Sequence, residues 1–221
     1  MDDMRIPIEC APLDELLGGG VESGIITEIY GEGGSGKTNL CLQVARNCAR
    51  KAKVIYIDAE GVSIERFRQI CGKDFEALLR NVLFYKVHSP EEQEKAVNEA
   101  IKLMRTGAAC LVIVDSAIVH YRLTGDDGDA ENTKSLLLQL RRLMGSALEK
   151  DVPVLITNQV YTDVATSTMR PICEFSIGYL SKAIISLSRM PNGIRAATIM
   201  KHRSRPEGIV ARFRITENGL E

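Results

Sequence analysis

The stretch from Gly31 to Thr38, Gly-Glu-Gly-Gly-Ser-Gly-Lys-Thr, constrains this chain more than any other. It fits the P-loop pattern at every position. An apolar segment before it, Ile25 to Tyr30, reads as a strand. After it, Leu40, Val44, Ala45 and Cys48 share one face of a helical pattern. Strand, glycine loop and helix form a nest of inward-turned backbone N–H groups, and the helix N-terminus adds partial positive charge. The expectation is a triphosphate site built from Gly31, Glu32, Gly33, Gly34, Ser35, Gly36, Lys37 and Thr38. Lys37 should reach the β- and γ-phosphates, and the Thr38 hydroxyl should ligate Mg²⁺.

The rest of the chain supplies a frame for that loop. Lys53 to Ile57, Val82 to Val87, Cys110 to Val114 and Val152 to Ile156 read as further strands. Between them lie helical patterns through Arg66 and Ile70, through Val97, Ile101 and Met104, and through Leu136, Leu140, Leu143 and Leu148. Ser89-Pro-Glu-Glu92 has the form of a helix start. Residues 1–12 look irregular, and Val160 to Ile172 shows no clear period. The tail changes character: Ala183–Arg189, Ile194–Met200 and Ile209–Ile215 alternate like antiparallel strands, with turns at Pro191-Asn-Gly193 and Pro206-Glu-Gly208. The expected fold is one α/β domain, a mainly parallel sheet flanked by helices with an antiparallel C-terminal extension.

Polar residues at the strand ends are the candidates for chemistry, because an α/β sheet places its site there. Asp115 closes an apolar strand, where a carboxylate holds the Mg²⁺ shell through water. Glu60 follows the second strand. Spacing leaves it open between a carboxylate that orients and deprotonates water and a helix-start glutamate favoured by the dipole. Gln159 lies past another strand, where an amide could sense a γ-phosphate.

Composition excludes more than it identifies. At 221 residues and a net charge of −1, no general affinity for polyanions follows. Residues 151–221 carry 9 Lys/Arg against 6 Asp/Glu, which permits a local nucleic-acid surface. The six cysteines form no Cys-x-x-Cys pair, so buried free thiols are expected and zinc is not. No span-length apolar run or signal-peptide pattern occurs, which points to a soluble, cytoplasmic protein without a membrane partner.

Several segments in order carry a resemblance: Leu16-Leu-Gly-Gly-Gly-Val-Glu22, Ile26-Thr-Glu28, Gly31–Leu42, Tyr56-Ile-Asp-Ala-Glu-Gly61, Leu111–Ser116, Ile156-Thr-Asn-Gln-Val160 and Phe213-Arg-Ile-Thr-Glu-Asn-Gly219. Together they resemble the ATPase core of the RecA/RadA recombinase family, in a core-only form without the N-terminal DNA-binding domain. The resemblance implies a RecA-like P-loop NTPase fold with ATP and Mg²⁺ as ligands. It assigns Glu60 as the catalytic glutamate, Gln159 as a γ-phosphate sensor coupled to DNA, and Arg66 as the arginine packed on adenine. It implies an accessory role in DNA repair and homologous recombination, with sequence-independent DNA binding, weak ATP hydrolysis and no strand exchange. Its implied protein partners are a RadA-type recombinase, a junction-processing nuclease, or further copies of the chain. A nucleotide-gated binding module and a KaiC-like signalling ATPase remain alternatives.

Two departures bear on DNA. The family's first DNA loop falls near Thr124–Ala130, which holds three aspartates and no cation; the second, Val160 to Ile172, holds only Arg170. Candidate phosphate contacts are therefore Arg170, Lys201, Arg203 and Arg205. Strand alternation puts Lys201 and Arg203 on one face. There they could contact DNA, or the ATP of a neighbouring copy as trans fingers, as the resemblance suggests.

Overall fold

A computed structural model describes residues 5–121, 129–163 and 168–221, with the backbone alone for 129–131. In chain order its elements are β1 (Arg5–Ile6), α1 (Ala11–Leu17), β2 (Val21–Glu22), β3 (Ile26–Gly31), α2 (Lys37–Ala49), β4 (Lys53–Asp58), α3 (Ile64–Cys71), α4 (Phe75–Leu79) and β5 (Val82–Lys86). There follow α5 (Pro90–Arg105), β6 (Ala109–Asp115), α6 (Asp129–Lys150), β7 (Val154–Asn158), β8 (Val160–Asp163), β9 (Thr168–Pro171), α7 (Glu174–Leu180), β10 (Ala183–Arg189), β11 (Ile194–Lys201), β12 (Val210–Thr216) and β13 (Gly219–Leu220).

The main sheet has nine strands in the order β13-β12-β11-β10-β3-β7-β6-β4-β5. From β10 to β5 every pairing is parallel. From β10 outward to β13 every pairing is antiparallel. Continuous burial of β3 and of Val54–Asp58 in β4 shows why these strands read as unbroken apolar runs: helices cover both faces. One core packs α1, α2, α3 and α4 on the sheet through Leu13, Leu40, Phe67 and Phe75. The other packs α5, α6 and α7 through Val97, Leu140 and Ile177. Local signals set the helix ends. Ser89 Oγ accepts from the Glu92 N–H at 3.2 Å and Glu92 reaches back to the His88 N–H at 2.8 Å, closing a capping box around Pro90.

The structure corrects three expectations. Residues 5–6 are a short strand paired antiparallel with Val21–Glu22, not irregular chain. The aperiodic stretch after Gln159 contains a hairpin, β8 against β9. Leu148 is 71 % exposed and Ala147 takes the core position, since five residues on from Leu143 overshoots the helical face that four residues reach. The aspartate-rich loop at Thr124–Ala130 lies outside the described residues up to 128, and Asp129 and Ala130 open α6. The six cysteines are free, as expected. Among the described residues no helix is long and apolar enough to cross a membrane.

Both ends of the described chain converge on α2. Gln43, 1 % exposed, donates from Nε2 to the carbonyls of Ile8 (3.0 Å), Glu9 (3.2 Å) and Leu220 (3.3 Å), and its Oε1 accepts from the Leu220 N–H at 2.6 Å. Replacing it with leucine keeps the volume but strands these backbone groups. Gln43→Leu is expected to lower unfolding free energy by about 2–4 kcal/mol. Chemical denaturation measures this, and a loss under about 0.5 kcal/mol would mean that apolar contacts alone hold the ends.

Candidate functional site

The candidate residues come together at the carboxyl ends of the parallel strands. β3 delivers the glycine loop, β4 delivers Asp58 and Glu60, β6 delivers Asp115, and β7 delivers Asn158 and Gln159. Gly31, Gly34 and Gly36 all have positive φ. A Cβ at Gly31 would meet the Leu187 carbonyl at 2.1 Å, so only glycine lets the strand pass β10 there. By contrast, a Cβ on Gly33 or Gly34 would meet no atom within 4 Å. That face of the loop is open to a ligand.

Lys37 Nζ donates to the carbonyls of Gly31 (2.8 Å) and Glu32 (3.1 Å), folding over the loop that it would serve. Burial lowers its pKa, against the opposing charges of Glu60 and Asp115. Asp115 is buried and accepts from Tyr56 Oη and Thr157 Oγ1, each at 2.6 Å. Burial raises its pKa, and hydrogen bonds from Thr157, Tyr56 and Thr38 oppose that rise. Thr38 and Asp115 are thus adjacent, as a shared Mg²⁺ shell requires.

Glu60 is exposed on a turn fixed by Asp58, whose two oxygens accept from the Gly61 and Val62 N–H groups at 2.8 Å each. Its Oε1 accepts from Gln159 Nε2 at 2.6 Å. The two residues that spacing treats separately therefore touch. Arg66 lies beside the start of α2, held by Asn39 Oδ1 (2.6 Å) and by the carbonyls of Thr216 (2.7 Å) and Glu217 (2.8 Å).

Sequence reasoning missed the supports. Arg195 Nε donates to the Gly34 carbonyl at 3.0 Å, and the Arg189 N–H donates to Glu32 Oε1 at 3.1 Å, so the antiparallel tail braces the glycine loop. No local pattern announces such contacts across 157 and 161 residues of chain. The Asp58 turn was readable, since an aspartate at a strand end with a glycine three residues on favours side-chain bonds to its own backbone.

The cationic candidates stand elsewhere. Arg170 pairs with Asp163 and Glu174, each at 3.3 Å. Arg205 donates to the carbonyls of Leu16 (3.1 Å) and Glu15 (3.0 Å) at the end of α1. Lys201 and Arg203 do not share a face: β11 ends at Lys201, so alternation stops there. Lys201 Nζ turns to the Gly178 carbonyl in α7 (2.7 Å), while Arg203 pairs with Glu22 of β2.

The donor set fits a nucleoside triphosphate with Mg²⁺. Ser35 Oγ is fully buried with no partner among the described residues, and it sits in the loop whose open face has room for phosphate oxygens.

The Rad51 family model matches residues 2–221 of this chain. A protein of Archaeoglobus fulgidus, named DNA repair and recombination protein RadB, is 47% identical over 223 residues, with 100% of each chain covered. A protein of the same name from Methanococcoides burtonii is 45% identical over 214 residues, which cover 96% of this chain and 95% of that protein. A crystal structure described as the RadB recombinase superposes with a TM-score of 0.83 at 36% identity, covering 98% of both chains.

One acid beside this site lies deeper. Burial pushes the Glu28 carboxyl from an ordinary 4.5 up to about 7, against hydrogen bonds from Asn158 and Ser181. Because the folded state holds this proton more tightly, the linked stability is full below pH 4.5 and is lost as pH rises through 7. Glu28→Gln removes the titration. The stability of wild type relative to this variant is expected to fall by about 2 kcal/mol between pH 5 and pH 8. Paired urea denaturations at the two pH values measure it, and a pH-independent difference would show that Glu28 does not titrate in this window.

Proposed function

The chain belongs to the Rad51 family, and on that premise we propose that it is an accessory protein of DNA repair and homologous recombination. It binds ATP with Mg²⁺, binds DNA without sequence preference, hydrolyses ATP slowly and does not exchange strands. Its RecA-like α/β core, with a mainly parallel sheet and antiparallel C-terminal strands, is that of the RadB structure that it superposes on.

The observation that carries the reading is the 2.6 Å hydrogen bond from Gln159 to Glu60. It ties the root of the β8–β9 hairpin to a carboxylate whose charge reaches Lys37 of the glycine loop. In the mechanism, the backbone N–H groups of Gly33 to Thr38 cradle the triphosphate, and Lys37 exchanges its two carbonyl partners for the β- and γ-phosphates. Thr38 and Asp115 would hold Mg²⁺, and Arg66 would pack on the adenine. Bound Mg²⁺ supplies neutralisation of charge on the transferring phosphoryl group. Glu60 orients the attacking water and takes its proton. Gln159 competes for the same carboxylate, so its position governs how free the base is.

The pairings of the cations support weak DNA contact. Arg170, the one cation of the hairpin segment, is shared between Asp163 and Glu174. Lys201, Arg203 and Arg205 also hold internal partners, which supports modest, salt-sensitive phosphate contact. If the 201–203 segment acts instead on the ATP of a neighbouring copy, Arg203 must leave Glu22. The protein partner on this reading is a RadA-type recombinase or a junction-processing nuclease.

Lys37→Ala is expected to weaken ATP binding by about tenfold or more, because the phosphate nest loses its cation. Glu60→Gln is expected to keep nucleotide affinity within about twofold and to lower hydrolysis about a hundredfold. Nucleotide titration and phosphate release, each with and without single-stranded DNA over a range of salt, measure both. Undiminished hydrolysis in Glu60→Gln would sink the base assignment. Turnover unaltered by DNA, with ATP-dependent partner binding, would favour a nucleotide-gated binding module.

A further inference from the structure

Under the β8–β9 hairpin lies a carboxylate that the mechanism above leaves unused. Glu28 is 1 % exposed in β3, at the centre of the sheet. Alternation from Ile26 places it on the face covered by α7, and Ser181, at the end of that helix, bonds to it. Lys201 contributes a positive charge there and Glu174 a negative one. A buried acid at a position that an apolar residue would fill costs free energy unless hydrogen bonds offset its desolvation.

Its main bond is to Asn158. Asn158 Nδ2 donates to Glu28 Oε1 at 2.8 Å and to the Ile172 carbonyl at 2.8 Å, so both hydrogens of the amide are used. Asn158 Oδ1 is buried with no partner among the described residues. The two N–H bonds are therefore what orients this side chain. Ile172 in turn donates its N–H to the Gln159 carbonyl at 3.1 Å. Asn158 and Gln159 thus close the root of the hairpin from one strand, Ile172 closes it from the other, and the Gln159 side chain meets Glu60.

We propose that Glu28 is a positioning residue for ATP hydrolysis: it holds the Asn158 amide, and through it the hairpin root, where Gln159 meets Glu60. This rests on the reading that the chain hydrolyses ATP at Glu60. Glu28 acts on the site through Asn158. It sets the geometry of the residue that touches the base, from the sheet's interior. Glutamine in its place keeps an oxygen that can accept from Asn158, whereas alanine does not.

Two independent readouts test this on the full chain. The first is hydrogen exchange at the Ile172 amide. Glu28→Ala is expected to speed that exchange by about tenfold or more while amides of α2 and α5 keep their protection, and Glu28→Gln to restore most of it. The second is phosphate release at saturating ATP. Glu28→Ala is expected to change turnover about tenfold with nucleotide affinity unaltered, and Glu28→Gln to stay near wild type. Unchanged exchange at Ile172 in Glu28→Ala overturns the proposal whatever the turnover. So does loss of affinity and turnover together without rescue by glutamine, which marks a general loss of fold. If wild type shows no hydrolysis yet Ile172 responds as expected, the hydrolysis reading falls and the anchoring of the hairpin stands. Should Glu28→Ala not fold, Asn158→Ala removes the same bond from the other partner and carries the same two expectations.

Discussion

A single buried amide, that of Gln43, satisfies backbone groups from residues 8, 9 and 220 on the helix that follows the glycine loop. A phosphate nest works only if its N–H groups already point inward, so the helix that carries them must not tilt. The same end of the molecule is reinforced twice more. Arg66 ties Asn39 to the carbonyls of Thr216 and Glu217. A Cβ on Gly36 would meet Ile215 at 3.2 Å and Phe213 at 3.6 Å, so the tail packs on the loop itself. The antiparallel extension is therefore part of the glycine loop's frame, although it contributes no residue of the loop itself.

What was legible in the sequence was what repeats locally. The parallel strands could be read because burial on both faces makes them continuous apolar runs. The Ser89 capping box and the glycine loop could be read because each is a short-range hydrogen-bonding device. The hairpin after Gln159 could not. Its strands are four residues each and half exposed, so no alternation of core and solvent marks them. Glu28, read only as part of a resembling segment, gave no sign of its role, because only the fold brings Asn158, 130 residues away, to its side. Glu60 and Gln159 were each legible as strand-end polar residues, while their contact across 99 residues was not.

The basic tail shows a limit of counting charges. Its excess of cations suggested an outward surface, yet Arg205 completes the carbonyls at the end of α1, Arg203 neutralises a buried glutamate and Lys201 caps a carbonyl of α7. Composition reports the number of charges, and only packing reports how many are already engaged. Cations with internal partners still contribute to the field, but a ligand must compete for their hydrogen bonds.

The bond between Gln159 and Glu60 has a thermodynamic consequence that runs in both directions. It joins two surfaces that different ligands would occupy, one at the glycine loop and one at the hairpin. Whatever factor a ligand on the hairpin applies to nucleotide affinity through that bond, nucleotide must apply to the hairpin ligand's affinity in equal measure. A chain wired in this way has no sender and no receiver. Where two ligands share such a bond, which of them regulates the other is decided by their concentrations, not by the protein.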